Sequence, residues 1–486
     1  MDQAVNRRGD DMNTKRTIHI SRATRRGWLL VVTALSFALS TGPLTVGGTA
    51  ASIAAEQEGA PFIDGRVIAF GIPGASALSP IGRFLPGSPI NSNPELAALT
   101  QPGRVLDPTR IVVGSRSNFG APKANADQFA GSFLSIDPHG AELAVPPAFA
   151  SAGDQASALD GAVQMYSAQS PNWLNGIYTP TAVTADQPGV ANPLGMSINN
   201  AFGRLWPANA PYGLEGPGSS SITDPDGRPL KGAPNPRTGG VYFGDLTGRQ
   251  PAQVIPGALS QAAVGTALLG RSPDGTGRAV FAVVVADGSI VQEHTEKGLD
   301  GIAPPGTVQP LANRSWPDDD AGPPERRVLP RLGAIVNYAP NFTLYVSQPF
   351  DDSIKAIEVT VGGPTGNEVF MPGTTRVIRS TALNQPLDLA PVQIETAHPD
   401  HASNTTMQPN TDFYVCNRGN NTIVRMRQDG TVVAVREVRV AHRSLGQARL
   451  NGIATSSDGS RIWVTYVGKL PGSSDQHGGV LELPAF

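Results

Sequence analysis
Six short runs in this chain share one pattern: an aliphatic residue, often an aromatic, then aliphatic and small residues. They are Ile111-Val-Val-Gly114, Leu205-Trp-Pro-Ala208, Val280-Phe-Ala-Val283, Leu344-Tyr-Val-Ser347, Phe413-Tyr-Val-Cys416 and Ile462-Trp-Val-Thr465. β-Branched and aromatic residues at this density suit strands rather than helices. A polar loop and a second strand follow, as in Ser353-Ile-Lys-Ala-Ile357 and Thr422-Ile-Val-Arg-Met426. Turns such as Asp137-Pro-His-Gly140 and Asp429-Gly430 then close the unit. Asp-Gly is a strong hairpin signal because both central residues of a type I′ turn need positive φ. A further strand of small and aliphatic residues precedes most runs: Gly195-Met-Ser-Ile198, Gly265-Thr-Ala-Leu-Leu269, Gly333-Ala-Ile-Val336, Gly452-Ile-Ala-Thr455 and, more weakly, Pro391-Val-Gln-Ile394. One such unit cannot bury its own faces, so copies must stack on one another.

Composition agrees. The 55 Gly and 44 Pro of 486 residues disfavour a helical bundle, since these are the two poorest helix formers. Lys and Arg (37) nearly cancel Asp and Glu (40), which excludes disorder by net charge. No Gly-X-Y period points to a collagen-like fibre. The expected fold is all-β: a β-propeller of about six blades, with long loop insertions in its N-terminal half. Ring closure would protect the strand edges.

The segment Phe413-Tyr-Val-Cys-Asn-Arg-Gly-Asn-Asn-Thr-Ile423 resembles the NHL and YVTN propeller repeats. Those families share an aromatic-Val strand, an Asn-rich polar loop and an Ile-bearing strand. Leu450-Asn-Gly-Ile-Ala454 with Asp458-Gly-Ser-Arg-Ile-Trp-Val464 is similar to the other half of the unit. The resemblance covers about 100–486 and is closest in the last two units. It implies a fold far better than a function, because propellers host many activities.

Residues 1–54 are expected to be an export signal. Seven Lys or Arg precede an apolar run from Trp28 to Leu39, and small residues follow. Arg25-Arg26 directly before that run suits the twin-arginine route, and an ordinary general-secretion signal is the alternative. Removing the signal would leave 30 basic and 37 acidic residues, a net −7 that argues against nucleic acid as a partner. No membrane span is expected in the mature chain, which would be periplasmic or extracellular. The single cysteine, Cys416, excludes an intramolecular disulfide.

Residues 55–104 form an N-terminal segment whose strand Phe62-Ile-Asp-Gly-Arg-Val-Ile-Ala-Phe70 either closes the ring or belongs to a seventh blade. The propeller then runs over 105–486. Its units are spaced by 94, 75, 64, 69 and 49 residues, and the earlier spacings exceed the roughly 40–50 of a bare blade. The surplus falls in the Pro/Gly/Ser-rich stretches 141–189, 211–253 and 301–330. Long loops on a rigid scaffold are where binding concentrates. Trp173, Tyr212 and Trp316 in these stretches are therefore candidate contacts for a ligand or partner.

Chemistry-bearing motifs are few, and no catalytic residue can be named. Asp351, Asp352 and Asn417 are candidate ligand contacts, although Asp and Asn also serve turn chemistry. His398-Pro-Asp-His401 is the one histidine cluster, making His398, Asp400 and His401 candidate metal ligands or a plain surface loop. Cys416 aligns with Gly114, Ala208, Val283, Ser347 and Thr465, so a packing role is expected of it. No cofactor is expected, with Ca²⁺ or another divalent cation the one such oxygen donors could hold. The preferred function is a binding or scaffold protein recognising a protein or small-molecule ligand through its inserted loops. The alternative is a metal-dependent lactone hydrolase or lyase, tested first at Asp351, Asp352, Asn417, Asn451 and His398.

Overall fold
The computed structural model describes residues 61–72, 75–104, 106–115, 132–139, 143–144, 163–166, 193–200, 204–209, 240–245, 253–254, 263–271, 279–285, 290–294, 308–312, 332–338, 341–349, 351–362, 369–474 and 478–486. The expected signal (1–54) and the candidates Trp173, Tyr212 and Trp316 lie outside these residues, as does most of 141–189, 211–253 and 301–330.

The strand-forming runs pair with their chain neighbours into antiparallel ladders. Ladder I joins Leu78–Pro80, Ile111–Ser115, Ser132–Ile136 and Val163–Tyr166. Ladder II joins Pro193–Asn199, Arg204–Asn209, Gly240–Asp245 and Gln253–Val254. Ladder III joins Ala263–Arg271, Ala279–Val285, Ile290–His294 and Val308–Ala312. Ladder IV joins Ala334–Asn337, Thr343–Gln348, Ser353–Gly362 and Val369–Arg379. Ladder V joins Pro386–Pro391, Phe413–Asn417, Thr422–Met426 and Val432–Val440. Ladder VI joins Arg449–Thr455, Arg461–Val467 and Gly478–Pro484, and Phe62–Phe70 adds its fourth strand. The chain is a β-propeller, with each aromatic-bearing run as the second strand of its ladder.

Burial explains why one ladder cannot stand alone. Ala267, Val280 and Ala282 of ladder III share a core cluster with Val336, Leu344 and Ile357 of ladder IV. Ile335 and Tyr345 of ladder IV pack likewise with Leu389, Phe413 and Val424 of ladder V. Tyr345, Tyr414 and Trp463 are all buried, so these recurrent aromatics form packing layers between ladders. The glycines that open the first strands permit close approach: a Cβ at Gly265 would overlap the Leu332 carbonyl, and one at Gly333 the Leu389 amide.

The Phe62–Phe70 strand bridges two ladders. Phe62 to Gly65 pair in parallel with Glu437 to Val440 of ladder V. Arg66 to Phe70 then pair antiparallel with Glu482 to Gly479 of ladder VI.

Two sequence expectations shift. The first strand of ladder V is Pro386–Pro391, ending where the run Pro391-Val-Gln-Ile394 begins. The apolar alternation of Pro386-Leu-Asp-Leu-Ala-Pro391 was masked by its prolines and by Asp388. The three long stretches are also not loop alone, since they contain the strands Val163–Tyr166, Gly240–Asp245 and Val308–Ala312.

Between the first two strands of ladder V the chain makes an inserted hairpin. Ile394–Glu395 pairs antiparallel with Ser403–Met407. The second of these strands also pairs with ladder II at Ser403 and Asn199, and in parallel with ladder IV at Thr406 and Val336. It therefore lies among the first strands of the ladders.

Candidate functional site
The first strands converge on one small cavity. Leu78, Met196, Thr266, Ala334, Leu389 and Ile453, one from each ladder, line it together with Asp388 and the inserted Asn404 and Thr405. Its volume is about 10 Å³, room for about one water molecule. Among the described residues, the inserted strand occupies the space between the first strands and leaves this small cavity.

Polar contacts seat the inserted strand. The hydroxyls of Ser197, Ser403 and Thr405 form a triangle with sides of 3.0, 3.2 and 3.1 Å. Thr405 Oγ1 accepts the Leu268 amide at 3.2 Å, and Asn404 Oδ1 accepts the Ile198 amide at 2.7 Å. Removing the strand would strand these buried groups, at about 1–3 kcal/mol for each one left unsatisfied. Asp388 is 1% exposed, and its Oδ2 accepts the Ile453 amide at 2.8 Å, tying ladder V to ladder VI. None of these residues was singled out in the sequence. The available signal was the β-branched pair Thr405-Thr406 before Met407, which suits a buried strand better than a loop.

Asp351, Asp352 and Asn417 occupy turn and inter-ladder positions. Asp352 and Asn421 stand at equivalent points before the third strands of ladders IV and V, with φ of 46° and 55°. Asp352 Oδ1 accepts the Gln385 amide at 2.6 Å, and Asn421 Oδ1 accepts the Leu450 amide at 3.1 Å. Each side chain thus tethers the approach to the next ladder. One residue earlier, Asp351 accepts Ser353 Oγ at 3.0 Å and Asn420 accepts Thr422 Oγ1 at 2.8 Å. Asp351 also pairs with exposed Arg379 at 2.7 Å, a geometry that contributes little in water. Asn417 is fully buried. Its Oδ1 accepts the Asn384 amide at 3.2 Å, and its Nδ2 donates to Ala382 O at 2.7 Å and Thr422 Oγ1 at 2.9 Å. Asn451 Nδ2 donates to Ala75 O at 2.6 Å, joining ladder VI to ladder I.

The aligned second-strand position carries a related device. Ser347 Oγ donates to Leu387 O at 2.8 Å and Thr465 Oγ1 donates to Ser76 O at 3.0 Å, each reaching towards the next ladder. Cys416, at the same position, is buried in an apolar cluster with Tyr414 and Ile423.

His398, Asp400 and His401 lie in the turn of the inserted hairpin. The two imidazoles stack at 3.6 Å with 15° between their planes, and His401 stacks on Tyr338 at 3.7 Å. Imidazole lone pairs lie in the ring plane, so rings stacked in parallel do not aim them at a common point. The Nδ1 of His398 already accepts the Asp400 amide at 3.2 Å, and Asp400 pairs with Arg271 of ladder III. Among the described residues no group of three His, Cys, Asp or Glu side chains is placed to hold a metal ion. Burial, with the neighbouring His398 adding to it, lowers the pKa of His401 to about 4 against the pull of Glu395 and Asp400. Burial also raises that of the Tyr338 hydroxyl, which donates to Leu269 O at 2.6 Å.

No protein-family model matches this chain, and no curated protein matches it. Solved structures show loose likeness. A streptogramin B lyase is 11% identical at a TM-score of 0.37, covering 87% of this chain and 97% of the lyase. The PQQ-bound aldose sugar dehydrogenase of Streptomyces coelicolor is 11% identical at 0.35, covering 87% and 99%. The calcium-binding protein regucalcin of Agrobacterium tumefaciens is 16% identical at 0.28, covering 60% and 88%. The fold itself rests on the ladders described above. Among the described residues no helix is long and apolar enough to cross a membrane.

Proposed function
We propose that this chain is an exported propeller of six blades of the NHL/YVTN type. It acts as a binding or scaffold protein, taking a protein or small-molecule ligand on the inserted-loop face built by 141–189, 211–253 and 301–330. The observation that supports this reading is the filled axis. Among the described residues the cavity there has room for about one water molecule. A lactone hydrolase or lyase of the axial-metal kind needs several donor side chains converging there. Asp351, Asp352, Asn417 and Asn451 are instead engaged in separate bonds within and between ladders. The charged-then-apolar order of 1–54 supports export to the periplasm or beyond.

Photo-crosslinking in the native host tests the assignment of the binding face. A benzoylphenylalanine placed at position 173, 212 or 316 is expected to give discrete adducts. The same probe at Val377 or Val433, exposed on outer strands, is expected to give none. Adducts at the outer strands with none at the three loop positions would move the binding surface away from the insertions.

A further inference from the structure
The His398-Pro-Asp-His401 turn sits at the end of the hairpin that fills the axis, and its contacts are unlike those of the strand it carries. Ser403–Met407 is held by hydroxyls and amides that keep their state across ordinary pH. The turn is held by a column of rings: Phe342 on Tyr338 at 4.7 Å, Tyr338 on His401 at 3.7 Å and His401 on His398 at 3.6 Å. The half-buried member of the histidine pair, His401, belongs to the residue type whose charge changes near neutrality when free in water.

We propose that the hairpin of Ile394–Glu395 and Ser403–Met407 is a pH-sensitive axial plug, seated by the ring column of His398 on His401 on Tyr338 and released when acidification charges His401. On protonation His401 would carry its charge half-buried, pressed between the His398 and Tyr338 rings. Among the described residues, the charged groups around the pair are Glu395, Asp400 and Arg271. Glu395 and Asp400 on the hairpin itself favour the protonated His401 ring. Glu395 already accepts the amides of Ala397 and His398 at 2.7 and 3.1 Å, and Asp400 is drawn to Arg271 of ladder III. From ladder IV the facing group is Tyr338, whose hydroxyl stays neutral and bound to Leu269 O.

The direction follows from linkage. An unseated histidine takes its proton near the ordinary value of 6.5, whereas seated His401 takes it only near about 4. The seat is therefore fully stabilised above the unseated value and weakens as pH falls between the two. Retraction would withdraw Asn404 and Thr405 from the cavity wall and open the space between the first strands.

Amide hydrogen exchange of the intact mature chain, corrected for intrinsic rates, tests this at about pH 7.5 and about pH 5. Amides of 396–407 are expected to lose protection roughly tenfold at the lower pH, while those of Arg461–Val467 in ladder VI keep theirs. In His401→Phe, which retains a flat stacking ring without a titrating proton, most of that loss is expected to vanish. His401→Gln serves as the non-titrating variant if the Phe form does not fold. Unchanged protection of 396–407 in the wild type would overturn the proposal. So would an equal loss in the non-titrating variant, or a parallel loss in ladder VI that marks global unfolding.

Discussion

A chain that starts at Gly71, and so lacks Phe62–Phe70, is expected to lose cooperative folding. That strand supplies the buried Ile63, Ile68 and Ala69. Full burial of an aliphatic side chain contributes about 1.5–3 kcal/mol. Its loss would also bare the outer edges of ladders V and VI, where Glu437 to Val440 and Gly479 to Glu482 now find partners. Glu482 is 7% exposed and receives Arg66 at 3.2 Å, Arg461 at 3.5 Å and Trp463 Nε1 at 3.3 Å. Without Arg66 a buried carboxylate would rest on its two longer contacts, a costly arrangement. These losses together approach the roughly 5–15 kcal/mol that a domain has in total. Thermal unfolding followed by near-ultraviolet circular dichroism should show no sharp transition for the truncated chain. A sharp transition within a few degrees of that of a chain keeping Phe62–Phe70 would mean that the strand decorates the ring rather than joins it.

Replacing Asn417 by Ala is expected to destabilise the protein by about 3 kcal/mol, from several buried groups left unsatisfied at about 1–3 kcal/mol each. The Asn384 amide and the Ala382 carbonyl lose their partner, and Thr422 loses a donor. Denaturant unfolding measures this directly. A change below about 0.5 kcal/mol, the size typical of an uninvolved surface site, would show that Asn417 is free to contact a ligand.

The ladders were legible because their signals are local. An aliphatic-aromatic run followed by an Asx-rich turn specifies a strand and its hairpin partner from neighbouring residues alone. The aligned position that includes Cys416 could be assigned to packing for the same reason. In Ser347 and Thr465 the sequence also carried hydroxyls, but their role depends on the neighbouring ladder. The inserted hairpin was not legible. Ser403–Met407 pairs with residues about 70 and 200 positions earlier in the chain, and no local pattern carries contacts of that range. The histidine turn looked like a loop with metal-ligand spacing because spacing says nothing of ring orientation. Asp351 and Asp352 looked like ligand contacts because a carboxylate that caps a backbone amide has the same composition as one that waits for a cation.

The claim that the axis is filled by the chain itself, leaving function to the loop face, is tested most directly by the metal content of the purified protein. Elemental analysis after exchange into metal-free buffer is expected to find Ca²⁺, Mn²⁺ and Zn²⁺ far below one equivalent per chain. Addition of these ions is expected to leave the unfolding temperature unchanged, since a ligand stabilises only the state that binds it. One tightly held divalent ion per chain, whose removal lowers the unfolding temperature and whose binding is abolished by Asp388→Asn, would contradict the account and return the axis to the centre of function.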